Sequence, residues 1–353
     1  MFYPLVSIII PVYNKEIYLN QAISSALKQT YMNIEYIIIN DGSTDNSAQV
    51  IENWVNEDDR IKYINQKNKG VSSTRNKGMD LAKGDYIFFF DADDQLDKNA
   101  ITNLLNIARN NKYDIIAANF SKVVNGREIK KSPLVEKLYT SDSLDNEQVK
   151  AEMFLFNGRP LSTVCNKLYK KSFLKKSEVK FENGVLAEDR LFNLMCFVNK
   201  PNIYVTNIYT YLYNIIDDSR SRSYSSNLYQ SIIELYSVFE IYIKNKEFSI
   251  DIRELLLINI SYDIDNIIKY EYDFENARIT TISNRLKAMY SNQIINEALK
   301  TANINNIFRN LKYKKLNLLR RRLFLNLLRY RKVKTLSLLS LIYRKLIDYK
   351  IKR

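Results

Sequence analysis

Histidine is absent from this chain of 353 residues. That excludes Ser-His-Asp and Cys-His nucleophile systems, His-ligated zinc, a His-held haem and a histidine proton shuttle. Any general base must be Asp, Glu, Lys, Tyr or Cys. Cysteine is scarce as well. Cys165 and Cys196 sit in apolar stretches without metal-ligand spacing, so no disulfide framework is expected and a reducing compartment fits. Long apolar runs are missing: Thr335 to Tyr343 falls far short of the ~20 residues that cross a bilayer. The N-terminal MFYPLVSIII has neither the basic region nor the cleavage site of a signal peptide. The expectation is a protein neither integral to a membrane nor secreted by that route.

Glycine and proline are few and unevenly placed. All seven glycines lie at or before Gly184 and all five prolines at or before Pro201. These residues punctuate loops and turns, so the long remainder without them is expected to be helical. Charge is uneven too. The net +14 comes from 53 Lys+Arg against 39 Asp+Glu, yet sixteen of the bases and only one acid, Asp348, lie in residues 301–353. The rest of the chain is near neutral, and the positive excess belongs to a tail.

What is present is an alternation of strand and helix. Leu5 to Ile10, Ile34 to Ile39, Ile61 to Ile64, Tyr86 to Phe90 and Ile115 to Phe120 read as strands. Helical spacing over 15–29, 45–55, 71–82 and 98–110 separates them. Short links between such elements imply a parallel sheet covered on both faces. Residues 121–145 read as a polar excursion, 146–157 as a helix, Thr163 to Tyr169 as a strand, Ala187 to Val198 as a helix and Tyr204 to Tyr213 as a late strand. Beyond 226 the clearest helices are 227–246, 251–270 and 282–300.

Ligands of open α/β sheets bind at the carboxyl ends of the strands. The first strand is followed by Pro11-Val12-Tyr13-Asn14, the second by Asn40-Asp41-Gly42-Ser43 and the fourth by Asp91-Ala92-Asp93-Asp94. No Gly-x-Gly-x-x-Gly or Walker-type loop accompanies them. The three clustered carboxylates suit a hard divalent cation, Mg²⁺ or Mn²⁺, which would neutralise a diphosphate leaving group. The competing explanation is an acidic turn with Asp94 or Asp97 capping the next helix. Asp41-Gly42 by itself signals a turn, with Ser43 or Thr44 as cap. Lys69 and Arg75 flank Gly70-Val71-Ser72, where backbone N–H groups and a guanidinium would meet phosphates; the alternative is solvated surface charge.

Taken together, VSIIIPVYN, IIINDGSTDNS, KGVSSTRNKG, GDYIFFFDADD, TVCNKLYKKSFL and GVLAEDRLF, in this order, resemble the inverting glycosyltransferases of family 2 over about residues 4–225. The resemblance implies a GT-A fold, a Rossmann-like α/β arrangement with a mostly parallel sheet flanked by helices. It implies a first domain over 1–225. A helical region over 226–353, ending in a basic amphipathic tail from about 305, falls outside the shared pattern.

By position the resemblance places Pro11, Tyr13 and Asn14 around base and ribose, and Asp41 on the uracil N3–H. Lys69 falls in the same nucleotide-sugar site, Arg75 beside the base and diphosphate, and Asp91, next to Ala92, on the ribose or a metal-bound water. Asp93 would hold Mn²⁺ or Mg²⁺ directly, and Asp189 would be the general base. Arg220 and Arg222, in the loop 217–223, would close over the diphosphate. The role of Glu188 stays open between binding acceptor and orienting Asp189. A helix first turn enriched in acids explains Glu188 and Asp189 equally well.

The resemblance also implies a UDP-sugar donor, a glycan or lipid-linked acceptor and a cytoplasmic setting at the inner face of a bacterial plasma membrane. Leu-rich clusters interleaved with Arg320-Arg321-Arg322 suit an anionic membrane surface. A helical core or an oligomer contact with a solvated basic face, or a wall teichoic acid enzyme whose tail assembles copies, are alternatives. A nucleic-acid-binding tail on an inactive scaffold is the rival of another class, and aromatic-rich signatures for it are missing.

Overall fold

β-Branched runs without interruption make strands buried on both faces, and in the computed structural model of the protein they form the centre of one sheet. The structure describes residues 3–109, 112–130, 134–154, 161–185, 187–215, 228–244, 246, 251–274, 278–309 and 315–351. The chain begins with β1 (Val6–Val12), α1 (Glu16–Leu27), β2 (Ile34–Asn40), α2 (Ser47–Val55), β3 (Ile61–Asn65), α3 (Val71–Leu81) and β4 (Tyr86–Phe89). Then come β5 (Gln95–Leu96), α4 (Ala100–Ala108), β6 (Ile115–Val124), β7 (Arg127–Ile129), β8 (Lys137–Tyr139), α5 (Glu147–Phe154), β9 (Lys167–Lys170), α6 (Lys171–Ser177), α7 (Glu188–Val198) and β10 (Ile203–Asn214).

The strands lie in the order β3-β2-β1-β4-β9-β6-β10-β5, with β7 beside β6 and β8 beside β10. β1 to β4 are mutually parallel, and so are β6 and β10. The sheet is mixed, however: β9 runs antiparallel to both β4 and β6. The sequence suggested a strand over Thr163 to Tyr169, but continuous pairing covers only Lys167–Lys170 as β9, with Cys165 making an isolated bridge to Phe89. Alternation gives no direction for a strand this short. The polar stretch 121–145 also departs from expectation. It extends β6, turns through a hairpin into β7, and supplies β8.

Parallel pairing brings the carboxyl ends of β1, β2 and β4 to one edge. Phe88, Phe89 and Phe90 are fully buried, each stabilising the fold by roughly 1.5–3 kcal/mol. They anchor the strand end that carries the acidic residues. Phe89 meets Tyr169, Phe181 and Phe192 edge-on. α3 lies unusually close to the sheet: a Cβ at Gly78 would sit 2.4 Å from the Ile9 side chain. Arg75, three residues earlier on the same helix face, is thereby held at the sheet edge.

The chain divides into two compact units. The first comprises 1–142, 160–184 and 188–219, and holds the sheet; the second comprises 143–159, 185–187 and 220–353. Its described C-terminal elements are α8 (Leu228–Lys244), α9 (Ile252–Phe274), α10 (Ile279–Ala288), α11 (Gln293–Thr301), α12 (Ile304–Arg309), α13 (Lys315–Arg329) and α14 (Val333–Ile351). α5 belongs to this unit. Its buried Lys150 reaches Glu254 of α9 at 2.8 Å and Asp145 at 3.4 Å. The single helix expected over 282–300 is two helices, because Asn292 breaks the run and caps α11 by accepting from the Ile295 N–H (3.1 Å).

Candidate active site

The β1 exit and the β2 exit are tied together. Pro11 is half-buried and Tyr13 exposed. Asn14 takes a left-handed backbone (φ 51), which Asn tolerates better than most residues. Its N–H donates to Ser43 Oγ (3.0 Å), and its Oδ1 accepts from the Thr44 N–H (2.8 Å). Ser43 and Thr44 therefore serve this junction and do not cap α2, whose N-cap residue is Asn46.

Asp41 is buried. Oδ1 accepts from the Lys69 N–H (2.9 Å) and from Gln66 Nε2 (2.8 Å), and Oδ2 from the Gly70 N–H (2.8 Å). A carboxylate has about four acceptor sites, so one remains for a ligand. Lys69 contributes its backbone here. Beside it lies an open hollow of about 600 Å³ lined by Asn40, Gly42, Ser43, Asn65, Gln66 and Asn68, among others.

Gly42 has φ +71, and a Cβ there would meet the Asn68 backbone N at 2.7 Å. Gly42→Ala is expected to lower the unfolding free energy by about 1–3 kcal/mol, measured by urea titration. A variant as stable as the parent would show that segment 66–68 yields freely.

The acids after β4 separate into different roles. Asp94 turns inward: Tyr211 Oη donates to its Oδ2 (2.7 Å) and the Asn214 N–H to its Oδ1 (2.8 Å). Burial, then Asp91 and Asp93, push its carboxyl well above the ordinary range. Asp94 thus ties the acidic turn to β10 and does not cap α4, nor does Asp97; the N-cap residue there is Asn99. Ala92 is buried between its acidic neighbours. Asp93 stays half-buried, and Lys15 Nζ lies 2.5 Å from its Oδ2.

Arg75 is the node of the site. Its side chain is 4% exposed. Nη2 donates to Asp91 Oδ1 (3.0 Å), while Nη1 donates to Asp189 Oδ1 (2.7 Å) and Glu188 Oε1 (3.1 Å). The guanidinium lies over the Phe181 ring at 5.3 Å, a cation–π contact. The resemblance placed Arg75 beside base and diphosphate. Here Nη1 and Nη2 hold three carboxylates and Nε is buried without a partner among the described residues, so its charge organises acids. Burial works against the cation, but Asp189 and Asp91 more than compensate and raise its pKa. Glu188 is pushed up by burial and by Asp189, against the pull of Arg75.

Asp189 is fixed by both oxygens. Oδ1 takes the Arg75 donor, and Oδ2 accepts from the Val164 N–H (3.0 Å). Its side chain nonetheless remains 21% exposed. The turn that presents Val164 also presents Cys165, whose Sγ donates to Asp91 Oδ2 (3.2 Å). Cys165 is therefore no inert apolar residue; burial and Asp91 push its thiol well up, keeping it a neutral donor.

Lys167 closes this turn from beneath. Its Nζ donates to Thr163 O (2.5 Å) and Cys165 O (3.3 Å), and burial pushes its pKa down to about 8. Sequence reasoning assigned no role to Lys15, Val164, Cys165, Lys167 or Tyr211. TVCNKLYK marked the segment, but backbone donors leave no signature in residue type. Arg220 and Arg222 lie outside the described residues.

Among the described residues no three acidic or thiol side chains converge as a ready-made metal cage. A hard cation needs no such cage when substrate phosphates supply its remaining oxygens. The four carboxyl groups of Asp91, Asp93, Glu188 and Asp189 outnumber the described cations that pair with them, Arg75 and Lys15. That acidic excess and the half-exposed Asp93 fit Mg²⁺ or Mn²⁺ on Asp93, with Asp91 beside it.

Comparison with known proteins bears on the family and the fold. The family model described as Glycosyl transferase family 2 matches residues 7–177. EpsJ of Bacillus subtilis (strain 168), an uncharacterized glycosyltransferase, is 34% identical over 60% of this chain and 61% of its own length. TarP of Staphylococcus aureus (strain N315), named a poly(ribitol-phosphate) beta-N-acetylglucosaminyltransferase, is 32% identical over 63% of this chain and 65% of its own length. The chain thus spans less than two thirds of either relative. In fold it is similar to Staphylococcus aureus TarS 1-349 in complex with UDP-GlcNAc: TM-score 0.68, 19% identity, 97% of this chain and 92% of that one.

Proposed function

We propose a reaction for this chain, which belongs to glycosyl transferase family 2: it moves a hexose or N-acetylhexosamine from a UDP-sugar to a hydroxyl of a cell-surface glycan or lipid-linked acceptor, inverting the anomeric carbon. The observation that carries it is the Arg75 node, which joins Asp91 after β4 to Asp189 at the start of α7. In this reading the donor lies along Pro11, Tyr13, Asn14, Asp41 and Lys69, on the strand-end edge that also carries Asp91.

Asp189 is the base. Arg75 and Val164 hold its two oxygens by one donor each, leaving acceptor sites for an incoming hydroxyl. The hydroxyl oxygen attacks the anomeric carbon as its proton passes to Asp189. The bond from that carbon to the diphosphate oxygen breaks, and UDP departs with the electron pair. One displacement inverts the centre, and no enzyme nucleophile or histidine is required. A divalent cation on Asp93, with Asp91 beside it, would supply electrostatic stabilisation of the diphosphate. Glu188, held uncharged more readily than an ordinary glutamate, limits repulsion beside the base.

UDP release from UDP-Glc, UDP-Gal, UDP-GlcNAc and UDP-GalNAc tests the reading. One donor should be consumed well ahead of the others, and Asp93→Ala should abolish that consumption. Consumption of none by a protein that also fails to bind UDP would refute it. The name of TarP favours a second reading in which poly(ribitol-phosphate) is the acceptor and the tail assembles copies; addition of that polymer would then raise UDP release.

The basic tail serves an anionic membrane surface in this account. No described helix is long and apolar enough to cross a membrane. On α13, Leu319 and Leu323 are exposed, at a spacing of four that shares a helix face, and Tyr330 is exposed just beyond the helix end. Arg322 borders that face, and each base near an anionic surface contributes on the order of 1 kcal/mol. Leu319→Asp with Leu323→Asp is expected to weaken co-sedimentation with phosphatidylglycerol vesicles by at least ~10-fold. Unchanged binding would assign the face to another role.

A further inference from the structure

Lys15 holds the carboxylate that the proposed reaction reserves for the divalent cation. Its backbone is pinned, since the Lys15 N–H donates to Ser47 Oγ at 2.9 Å. Its side chain leaves the β1–α1 junction and crosses to the turn after β4, ending 2.5 Å from Asp93 Oδ2. The two side chains are 31% and 21% exposed, so solvent and ligand reach both. Among the described residues Asp93 has no other ion pair, whereas Asp91 is engaged by Arg75 and Cys165, and Asp94 by Tyr211 and Asn214. A lysine ammonium is a compact charge on a flexible four-carbon stem. It can leave a carboxylate without moving its backbone.

We propose that Lys15 is an exchangeable counter-ion, resting on Asp93 in the donor-free protein and moving to the donor's diphosphate when UDP-sugar binds. This rests on the reading of the site given above. An ammonium and a divalent cation on the same carboxylate repel each other, so the cation must displace Lys15. The diphosphate offers Lys15 new oxygens at the moment Asp93 is needed. Cation and nucleotide therefore help each other to bind, and linkage makes that help reciprocal. Lys15 is a positioning residue here, acting through Asp93 and the diphosphate.

Lys15→Met removes the charge and keeps the apolar stem. The pair is partly exposed, so its loss costs little stability, and an unchanged thermal midpoint confirms an intact fold. Mn²⁺ alone, titrated by the paramagnetic resonance signal of the free ion, is expected to bind the variant about 10-fold more tightly than the parent, within the usual 5–150-fold range of site coupling. UDP alone, titrated calorimetrically with EDTA present, is expected to bind the variant about 10-fold more weakly. Lys15→Arg keeps a charge and is expected to fall nearer the parent in both titrations.

Equal or weaker Mn²⁺ binding by Lys15→Met would overturn the proposal, as would UDP binding without metal that ignores the substitution, while leaving the donor reading standing. Failure of UDP to bind the parent with or without Mn²⁺ would overturn the donor reading and this proposal with it.

Discussion

Asp189→Asn is expected to lower kcat by about 10²–10⁴-fold while leaving UDP affinity within about threefold of the parent. The amide keeps the size of the carboxylate, and its one carbonyl oxygen can still accept from either Arg75 or the Val164 N–H. It cannot take a proton from the acceptor hydroxyl. It also turns an NH₂ group toward either Arg75 or Val164, both donors, so a modest fall in thermal midpoint accompanies the loss. Single-turnover measurements at saturating donor separate the two effects. A variant that turns over at the parental rate would remove Asp189 as base and leave Glu188 as the neighbouring candidate.

Arg75→Met is expected to cost about 3 kcal/mol of stability as well as activity. Removing one partner of a buried ion pair costs about 3–5 kcal/mol, because the other partner's charge is left uncompensated. Here three charges lose their partner, but Asp91, Glu188 and Asp189 are each 21–32% exposed, so water relieves part of the loss. The low end of the range follows. Arg75→Lys should recover only part, since one point charge cannot reproduce a fork that spans three acceptors.

The pH dependence fixes the cause. Glu188 already has a raised pKa in the folded protein, from burial and from Asp189, with Arg75 opposing. A carboxyl raised on folding adds stability below its ordinary range, and that contribution is lost as pH rises through the raised value. Without Arg75 the rise is larger. The stability gap between Arg75→Met and the parent should therefore be widest at neutral pH and shrink as pH falls through the carboxylate range. A gap independent of pH would show that lost packing on Phe181 dominates over charge.

The strand ends were legible because their signals are local. Buried Ile and Phe runs followed by Pro11-Val12-Tyr13-Asn14, Asn40-Asp41 and Asp91-Ala92-Asp93 mark three parallel strands and the polar residues at their carboxyl ends. What stayed hidden is non-local. Arg75 reaches residues 113 and 114 positions later in the chain, and Lys15 reaches one 78 positions later, while composition treats each as an ordinary surface cation. Asp91, Asp93 and Asp94 look equivalent in sequence. Only tertiary placement sends Asp94 to Tyr211, Asp91 to Arg75 and Asp93 to Lys15. The direction of β9 was illegible for the same reason: period two is identical in parallel and antiparallel strands. The break at Asn292 was foreseeable, as Asn favours helix starts, but a continuous apolar pattern over 282–300 masked it.

The central claim is a single displacement at the anomeric carbon, driven by an aspartate held on Arg75. The most direct test follows the sugar released from an α-linked UDP-sugar by proton NMR, with water as the acceptor and within the first minutes, before the anomers equilibrate. The account predicts that the β-anomer builds up first, and that Asp189→Asn suppresses it while UDP still binds. First appearance of the α-anomer would contradict it, since retention requires two displacements or attack from the leaving-group face.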